Sequence, residues 1–272
     1  MIGEKPDKLG LAPRAFERAF ELLEENKKKF TYKVSVYMLE LYCDKLRDLL
    51  AENKDADEKL EIKKDKNGMV FVQGATIVPV NDAAHLEQVF DNGISGRMVS
   101  KTLMNDASSR SHLVISILME SVNRETGNVV SGKLSLVDLA GSERVAKTGA
   151  NAQQLKEATS INQSLTSLGN VINGLVQGEK FIKYRDNKLT LLMQDSLGGN
   201  AKTLMFVNVS PADYNADETS NSLVYASRVK HITNDAQKNA ESKEIARLKE
   251  IIGRLKGGEE VTNEEIQHGK SE

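Results

Sequence analysis

Between Phe30 and Tyr42 the chain sets Val34, Val36, Met38, Leu39 and Leu41 on both faces of one extended segment. A strand apolar on both faces must be covered from both sides, as happens inside an α/β sheet flanked by helices. The pattern elsewhere supplies those covers. Pro13 opens a helix in which Phe16, Ala19, Phe20 and Leu23 recur at helical spacing to about Lys28. Asn81 is placed to cap a second helix carrying Leu86, Val89 and Phe90. Ala158, Ile161, Leu165, Leu168, Ile172 and Leu175 draw one apolar seam along a long helix, and Lys156, Gln163, Asn170 and Asn173 form its polar face.

Shorter elements fill the intervals. Lys45 to Leu50 is predicted as a short helix. Leu60 to Ile62 and Met69 to Val72 flank the hairpin signal Asn67-Gly68 and, with Thr76 to Val80, predict a small antiparallel lobe. Leu113 to Met119 turns at Thr126-Gly127 into a strand that ends Leu134-Ser135-Leu136-Val137-Asp138 and breaks into Ala140-Gly141-Ser142. A loop at the carboxyl edge of a sheet begins there. Thr203 to Val209 is predicted as a buried strand halted before Pro211, and Asn215 with Glu218 as a capping box for a helix through Ile232.

The 37 Lys and Arg nearly cancel the 39 Asp and Glu, for a net charge of -2. No global field draws such a chain onto nucleic acid or a membrane surface, so any acidic partner must be met by a local patch. A single cysteine, Cys43, and four scattered histidines provide neither an internal disulfide nor zinc-ligand spacing, which favours a reducing, intracellular setting. The apolar runs fall far short of the roughly 20 residues that span a bilayer, and Met1 to Pro6 lacks a signal's apolar core, so a soluble protein is expected.

Two polar loops at strand ends carry chemistry: Asn105-Asp106-Ala107-Ser108-Ser109-Arg110-Ser111-His112 and Asp138-Leu139-Ala140-Gly141-Ser142-Glu143. Each alone has an ordinary explanation as a loop that satisfies its own backbone. Together they describe a nucleotide switch. Serine hydroxyls can ligate Mg²⁺, a strand-end aspartate can hold the same ion through water, and a glycine amide can approach a γ-phosphate unobstructed.

The pattern NxxSSRSH, then DLAGSE, then Ile161-Asn162-Gln163-Ser164-Leu165 with Leu168-Gly169, then Tyr184-Arg185-Asp186-Asn187-Lys188-Leu189-Thr190 resembles the kinesin motor domain, in that family's order and over almost the whole chain. The resemblance implies a P-loop NTPase-like kinesin motor fold, a central mixed sheet flanked by helices, incomplete at its N-terminus. It implies ATP and Mg²⁺ as ligands. Ser108 and Ser109 would meet the γ-phosphate and Mg²⁺, Asp138 would orient Mg²⁺ through water, and Gly141 would sense the γ-phosphate. Arg110 and Glu143 would form a latch that positions the attacking water, with Glu143 the proton acceptor at the end of a short relay. Residues 1–233 would be the motor domain, and 234–272 a neck or regulatory helix with an acidic tail.

The cradle sequence Gly-x-x-x-x-Gly-Lys-Ser/Thr, which wraps backbone amides around phosphates, does not occur in this sequence; the decoy Gly269-Lys270-Ser271 has Glu264 where the first glycine belongs. Met1-Ile2-Gly3 resembles the family segment just past the cradle, so the 272 residues alone are expected neither to bind nor to hydrolyse ATP appreciably. The alternative is a non-catalytic fragment that binds microtubules or a calcium sensor.

By the same resemblance the partner is tubulin in microtubules, met by Arg144, Lys147, Lys156, Arg185 and Lys188, with Lys183 adding charge and Gln163 standing where the family commonly has lysine. The setting would be cytoplasmic, on the cytoskeleton. Ile62 to Asp65, Thr203 to Asn208 and Ser242 to Lys249 resemble the kinesin-like calmodulin-binding proteins of the minus-end-directed kinesin-14 class. That implies a tail helix whose Ile245, Leu248, Ile252 and Leu255 enter calmodulin or a related calcium sensor, here without an aromatic anchor.

Overall fold

The computed structural model describes residues 1–4, 8–52, 60–66, 68–99, 110–142, 152–234, 240–241 and 251–252. A short pair, β1 (Gly3–Glu4) and β2 (Lys8–Leu9), precedes α1 (Leu11–Glu25). Ala12, Pro13 and Phe16 bury the first turns of α1, and the Asn26 amide donates to the Leu22 carbonyl at 2.8 Å as the helix stops at Glu25, a turn short of the expected Lys28.

The two-faced strand is β3 (Phe30–Tyr42), and it organises the sheet. On one edge it pairs with β4 (Lys45–Asp48) and β7 (Val78–Val80); on the other it pairs with β8 (His112–Asn123), which pairs in turn with β9 (Val129–Asp138). All of these pairings are antiparallel. Met38 lies opposite Ile115 and Leu39 opposite Val114, so the period of two sends neighbouring residues to opposite faces. Val36, Met38, Ile115 and Ile117 meet Phe16 of α1 and Leu86 and Phe90 of α2 (Ala83–Val99). The rings of Phe16 and Phe90 meet edge to face, 5.4 Å between centroids. On the other face Tyr37, Leu39, Leu41 and Val114 meet Leu168 and Ile172 of α3 (Ala152–Val176) and Leu189 of α4 (Lys188–Leu192).

Four local expectations are corrected. Lys45–Asp48 is a strand, because Cys43 (φ 46°) and Asp44 (φ 59°) turn the chain back onto β3 and bury Leu46 and Asp48 on alternate positions. The hairpin of β5 (Glu61–Lys64) and β6 (Val70–Gln73) forms as expected, but β7 joins the main sheet instead of that lobe. The cap of α2 is Asp82, whose carboxylate accepts from the His85 amide at 2.7 Å, not Asn81. At the start of α6 (Ala216–Val229) the Asn215 side chain caps nothing; its amide donates to the Ser210 hydroxyl at 3.1 Å.

A fifth correction concerns Thr203 to Val209, where no strand forms and Leu204 and Phe206 are 77% and 60% exposed. Apolar alternation assigns faces, yet a strand needs a second backbone alongside to take its N–H and C=O groups. Among the described residues none pairs with this segment. The tail returns to the sheet instead: β10 (Ala240–Glu241) pairs with Val129 and Val130 at the start of β9.

One polar clamp binds the hairpin to the sheet. Asp195 of α5 (Gln194–Leu197) accepts from the Val70 amide at 2.7 Å and from Lys133 of β9 at 2.5 Å, and the Lys133 ammonium also donates to the Val70 carbonyl at 2.9 Å. Both side chains are largely buried. Asp195→Ala would leave the buried Lys133 ammonium without its counter-charge and the Val70 amide without its acceptor, an expected loss of about 3–5 kcal/mol of unfolding free energy. A urea melt followed by circular dichroism measures it, and a loss below about 1 kcal/mol would mean that the clamp contributes no more than a surface pair.

Candidate functional site

The register of the sheet brings the described ends of the two polar loops together. Leu113, next to the start of β8, lies opposite Asp138, the last residue of β9. The segment that feeds β8 and the one that leaves β9 are therefore neighbours at one edge of the sheet. Asp138 and Gly141 are half-buried there, and Arg110 borders a small cleft with Cys43, Asp44, Ser160 and Asn187. Ser108, Ser109 and Glu143 lie outside the described residues, as do Arg144 and Lys147 and the side chain of Lys156.

No group of three or more His, Cys, Asp or Glu side chains that could hold a metal occurs among the described residues. A lone strand-end carboxylate suits a Mg²⁺ ion that takes its inner ligands from phosphate, hydroxyl and water oxygens and touches the protein carboxylate through water. On that chemistry Asp138 would fit the ion.

Residues absent from the expected site hold the described ends of these loops, at Ser111, His112 and Ala140. Glu40, on β3, accepts at one carboxylate oxygen from the Ser111 hydroxyl (2.6 Å) and from Arg97 Nε (3.2 Å). Arg97 Nη2 donates to both the Ser111 carbonyl and its hydroxyl at 3.0 Å, and Arg47 approaches the second Glu40 oxygen at 3.6 Å. Glu40, Arg97 and Ser111 are all buried, so this charged cluster fixes the backbone next to Arg110. Beside it His112 contacts the Ala140 amide through Nδ1 (3.0 Å) and the Ser164 hydroxyl of α3 through Nε2 (2.8 Å). The sequence signal for Ser111, His112 and Ser164 was their place in the motifs, with Ser111 and His112 closing NxxSSRSH and Ser164 inside the Ile161 to Leu165 run, whereas Glu40, Arg47 and Arg97 lie in none of them.

The expected cationic surface is ordered by its own motif. Lys183, Arg185 and Lys188 are exposed around the turn Tyr184–Asp186 and the start of α4. Asn187 caps α4 by accepting from the Leu189 amide at 2.8 Å, and the buried Thr190 hydroxyl donates to the Tyr184 and Asn187 carbonyls at 2.7 and 2.8 Å. Gly198 closes over this turn, since a Cβ there would lie 2.3 Å from the Tyr184 hydroxyl. Of the tail residues, Ile252 is described and 49% exposed; Ile245, Leu248 and Leu255 lie outside the described residues.

Compared with known families, residues 1–232 match the model of the kinesin motor domain. The chain belongs to the kinesin motor domain family. It is 54% identical over 243 residues to the kinesin-like protein KIN-14E of Arabidopsis thaliana, covering 89% of this chain and 19% of that protein. To the kinesin-like protein KIN-14I of Oryza sativa subsp. japonica it is 51% identical, covering 89% of this chain and 20% of that protein. The chain thus spans about a fifth of the length of these curated relatives. A solved structure of a fast kinesin superposes with a TM-score of 0.80 at 42% identity, over 89% of this chain and 68% of the solved one. The α/β architecture with its central sheet and flanking helices is therefore the kinesin motor fold, and the two relatives are kinesin-14 proteins, the class indicated by the sequence.

Within this motor domain the His112 imidazole has an acid-labile place. Burial first, and the charge of Arg97 second, push its pKa down from 6.5 to about 4. Below about pH 6.5 the unfolded ring takes a proton that the folded ring refuses until about pH 4, so its contribution to stability is present above the upper value and lost on acidification. The expected loss between those values is about 3 kcal/mol. Urea melts from pH 7 to pH 4 measure it, and His112→Asn should flatten that part of the profile; an unchanged slope in the variant would assign the acid lability to other groups.

Proposed function

We propose that this chain works in a microtubule-based motor that couples ATP hydrolysis to microtubule binding and minus-end-directed movement. The observation that supports this is the Leu113 to Asp138 pairing, which makes the entry to β8 and the exit from β9 neighbours at one sheet edge in a kinesin motor domain. Residues 1–233 are the motor portion in this proposal and 234–272 the neck and regulatory portion, acting in the cytoplasm on the cytoskeleton.

Mg²⁺ bound with ATP neutralises charge that builds on the phosphate oxygens during transfer. The work of this chain lies around it. Asp138 would hold a water of the ion, Ser108 and Ser109 would offer hydroxyls to the ion and the γ-phosphate, and the Gly141 amide would donate to the same phosphate. Arg110 would pair with Glu143 and position the attacking water, whose proton would reach Glu143 at the end of a short relay. The Glu40–Arg97–Ser111 cluster supports the arrangement by fixing the residue next to Arg110.

The chemistry is tested in this chain joined to a Gly-x-x-x-x-Gly-Lys-Ser/Thr segment. Glu143→Ala or Arg110→Ala should lower microtubule-stimulated hydrolysis by about 10²–10⁴-fold while nucleotide affinity, read by fluorescent ATP, stays within a few-fold. Loss of nucleotide binding itself would make the pair structural. The surface is tested by co-sedimentation with microtubules, whose acidic face should be met by Lys183, Arg185 and Lys188. Changing the three to alanine should weaken binding about tenfold at low salt and flatten its salt dependence; unchanged pelleting would place the interface elsewhere.

The half-exposed Ile252 favours a regulatory role for the tail as well. We propose that Ile245, Leu248, Ile252 and Leu255 enter the groove of calmodulin or a related calcium sensor, weakly because no aromatic anchors the helix. Calcium-loaded calmodulin should then lower microtubule pelleting, and deletion of residues 242–272 should abolish that effect.

A further inference from the structure

The His112 ring touches two elements at once, and its protons can be counted. Ser164 has one hydroxyl proton, donated to the Ile161 carbonyl at 2.6 Å, so its oxygen accepts from His112 Nε2 at 2.8 Å. The Ala140 amide donates to Nδ1 at 3.0 Å, which leaves that nitrogen without a proton. The ring is therefore neutral and protonated on Nε2, with each nitrogen used once. His112, Ala140 and Ser164 are buried, so water does not replace a lost partner cheaply.

The base of the ring is fixed. The His112 backbone pairs with Leu41 of β3, and the preceding Ser111 is held by Glu40 and Arg97. The two partners of the ring are less constrained by sheet pairing: Ala140 follows the last paired residue of β9, and Ser164 rides on α3. A flat, stiff ring on a fixed base, bonded at opposite nitrogens, cannot follow a loop displacement of about 0.5 Å without lengthening one bond past the useful range or moving the other partner. On α3 the bonded turn, Ile161 to Ser164, faces inward, while Gln163 in the same turn is exposed.

We propose that His112 is a positioning residue that couples the Asp138–Gly141 loop to α3, so that a shift of the Gly141 amide and a shift of the exposed face of α3 are linked through one imidazole; the functional meaning of the link rests on the motor reading above. Each end of the link then biases the other.

The test uses the 272-residue chain and amide hydrogen exchange at Ala140, read by nuclear magnetic resonance. Ser164→Ala does not touch Ala140, yet it should speed exchange of that amide about tenfold by releasing the ring. His112→Asn keeps an acceptor near the Nδ1 position but does not reach Ser164; in that background Ser164→Ala should leave the Ala140 rate unchanged. Equal acceleration in both backgrounds, or none in the unaltered chain, overturns the coupling. Nitrogen-15 spectra of the unaltered chain give an arm independent of any variant: a proton on Nε2 alone is expected, and a proton on Nδ1 overturns the proposal. Microtubule pelleting of the unaltered chain separates the two ideas. No pelleting with the exchange coupling intact defeats the motor reading and supports the link, whereas pelleting without coupling defeats the link alone.

Discussion

The unbroken antiparallel pairing of β3 with β8, from Phe30 opposite Asn123 to Leu41 opposite His112, is the constraint on which the other elements depend. A slip of one residue would turn Met38 and Ile115 away from the helices of one face and expose Leu39 and Val114 to the wrong layer on the other. Because both strands are apolar on both faces, α1 and α2 can cover one side and α3 and α4 the other. The same register fixes where β8 starts relative to where β9 ends, so the position of the site follows from the packing of the core.

Polar groups buried at that edge then restrain the backbone at Ser111, His112 and Ala140. Glu40 projects from the middle strand and gathers Arg97 from α2, Arg47 from β4 and Ser111 from the entry to β8. A carboxylate so far from solvent is stable only while its donors stay in place, which makes the cluster a strict restraint on the backbone beside Arg110. His112 extends the restraint to α3 with a neutral ring, and a neutral ring suits that role. A charged imidazolium beside Arg97 would carry the cost of burial and of repulsion together, and the depressed pKa expresses that cost.

Much of this was legible in the residues. The two-faced strands, the Thr126-Gly127 turn, the apolar seam of α3 and the hairpin of β5 and β6 all carry local patterns that permit one element type, and the structure has them. The motifs named the family. Local pattern failed where a distant partner decided. Lys45–Asp48 became a strand because the left-handed residues Cys43 and Asp44 returned it to β3, and residues 203–209 formed no strand because alternation supplies faces but no neighbour.

The sequence by itself determined the α/β class and the family, since those depend on residue types and on spacings of a few positions. The tertiary structure alone decided which polar groups meet: Glu40 with Ser111, 71 residues on, and His112 with Ala140 and Ser164, 28 and 52 residues on. The physical reason is that a buried hydrogen bond depends on distances of tenths of an ångström, and sheet register and helix docking set those distances over spans that no local periodicity encodes.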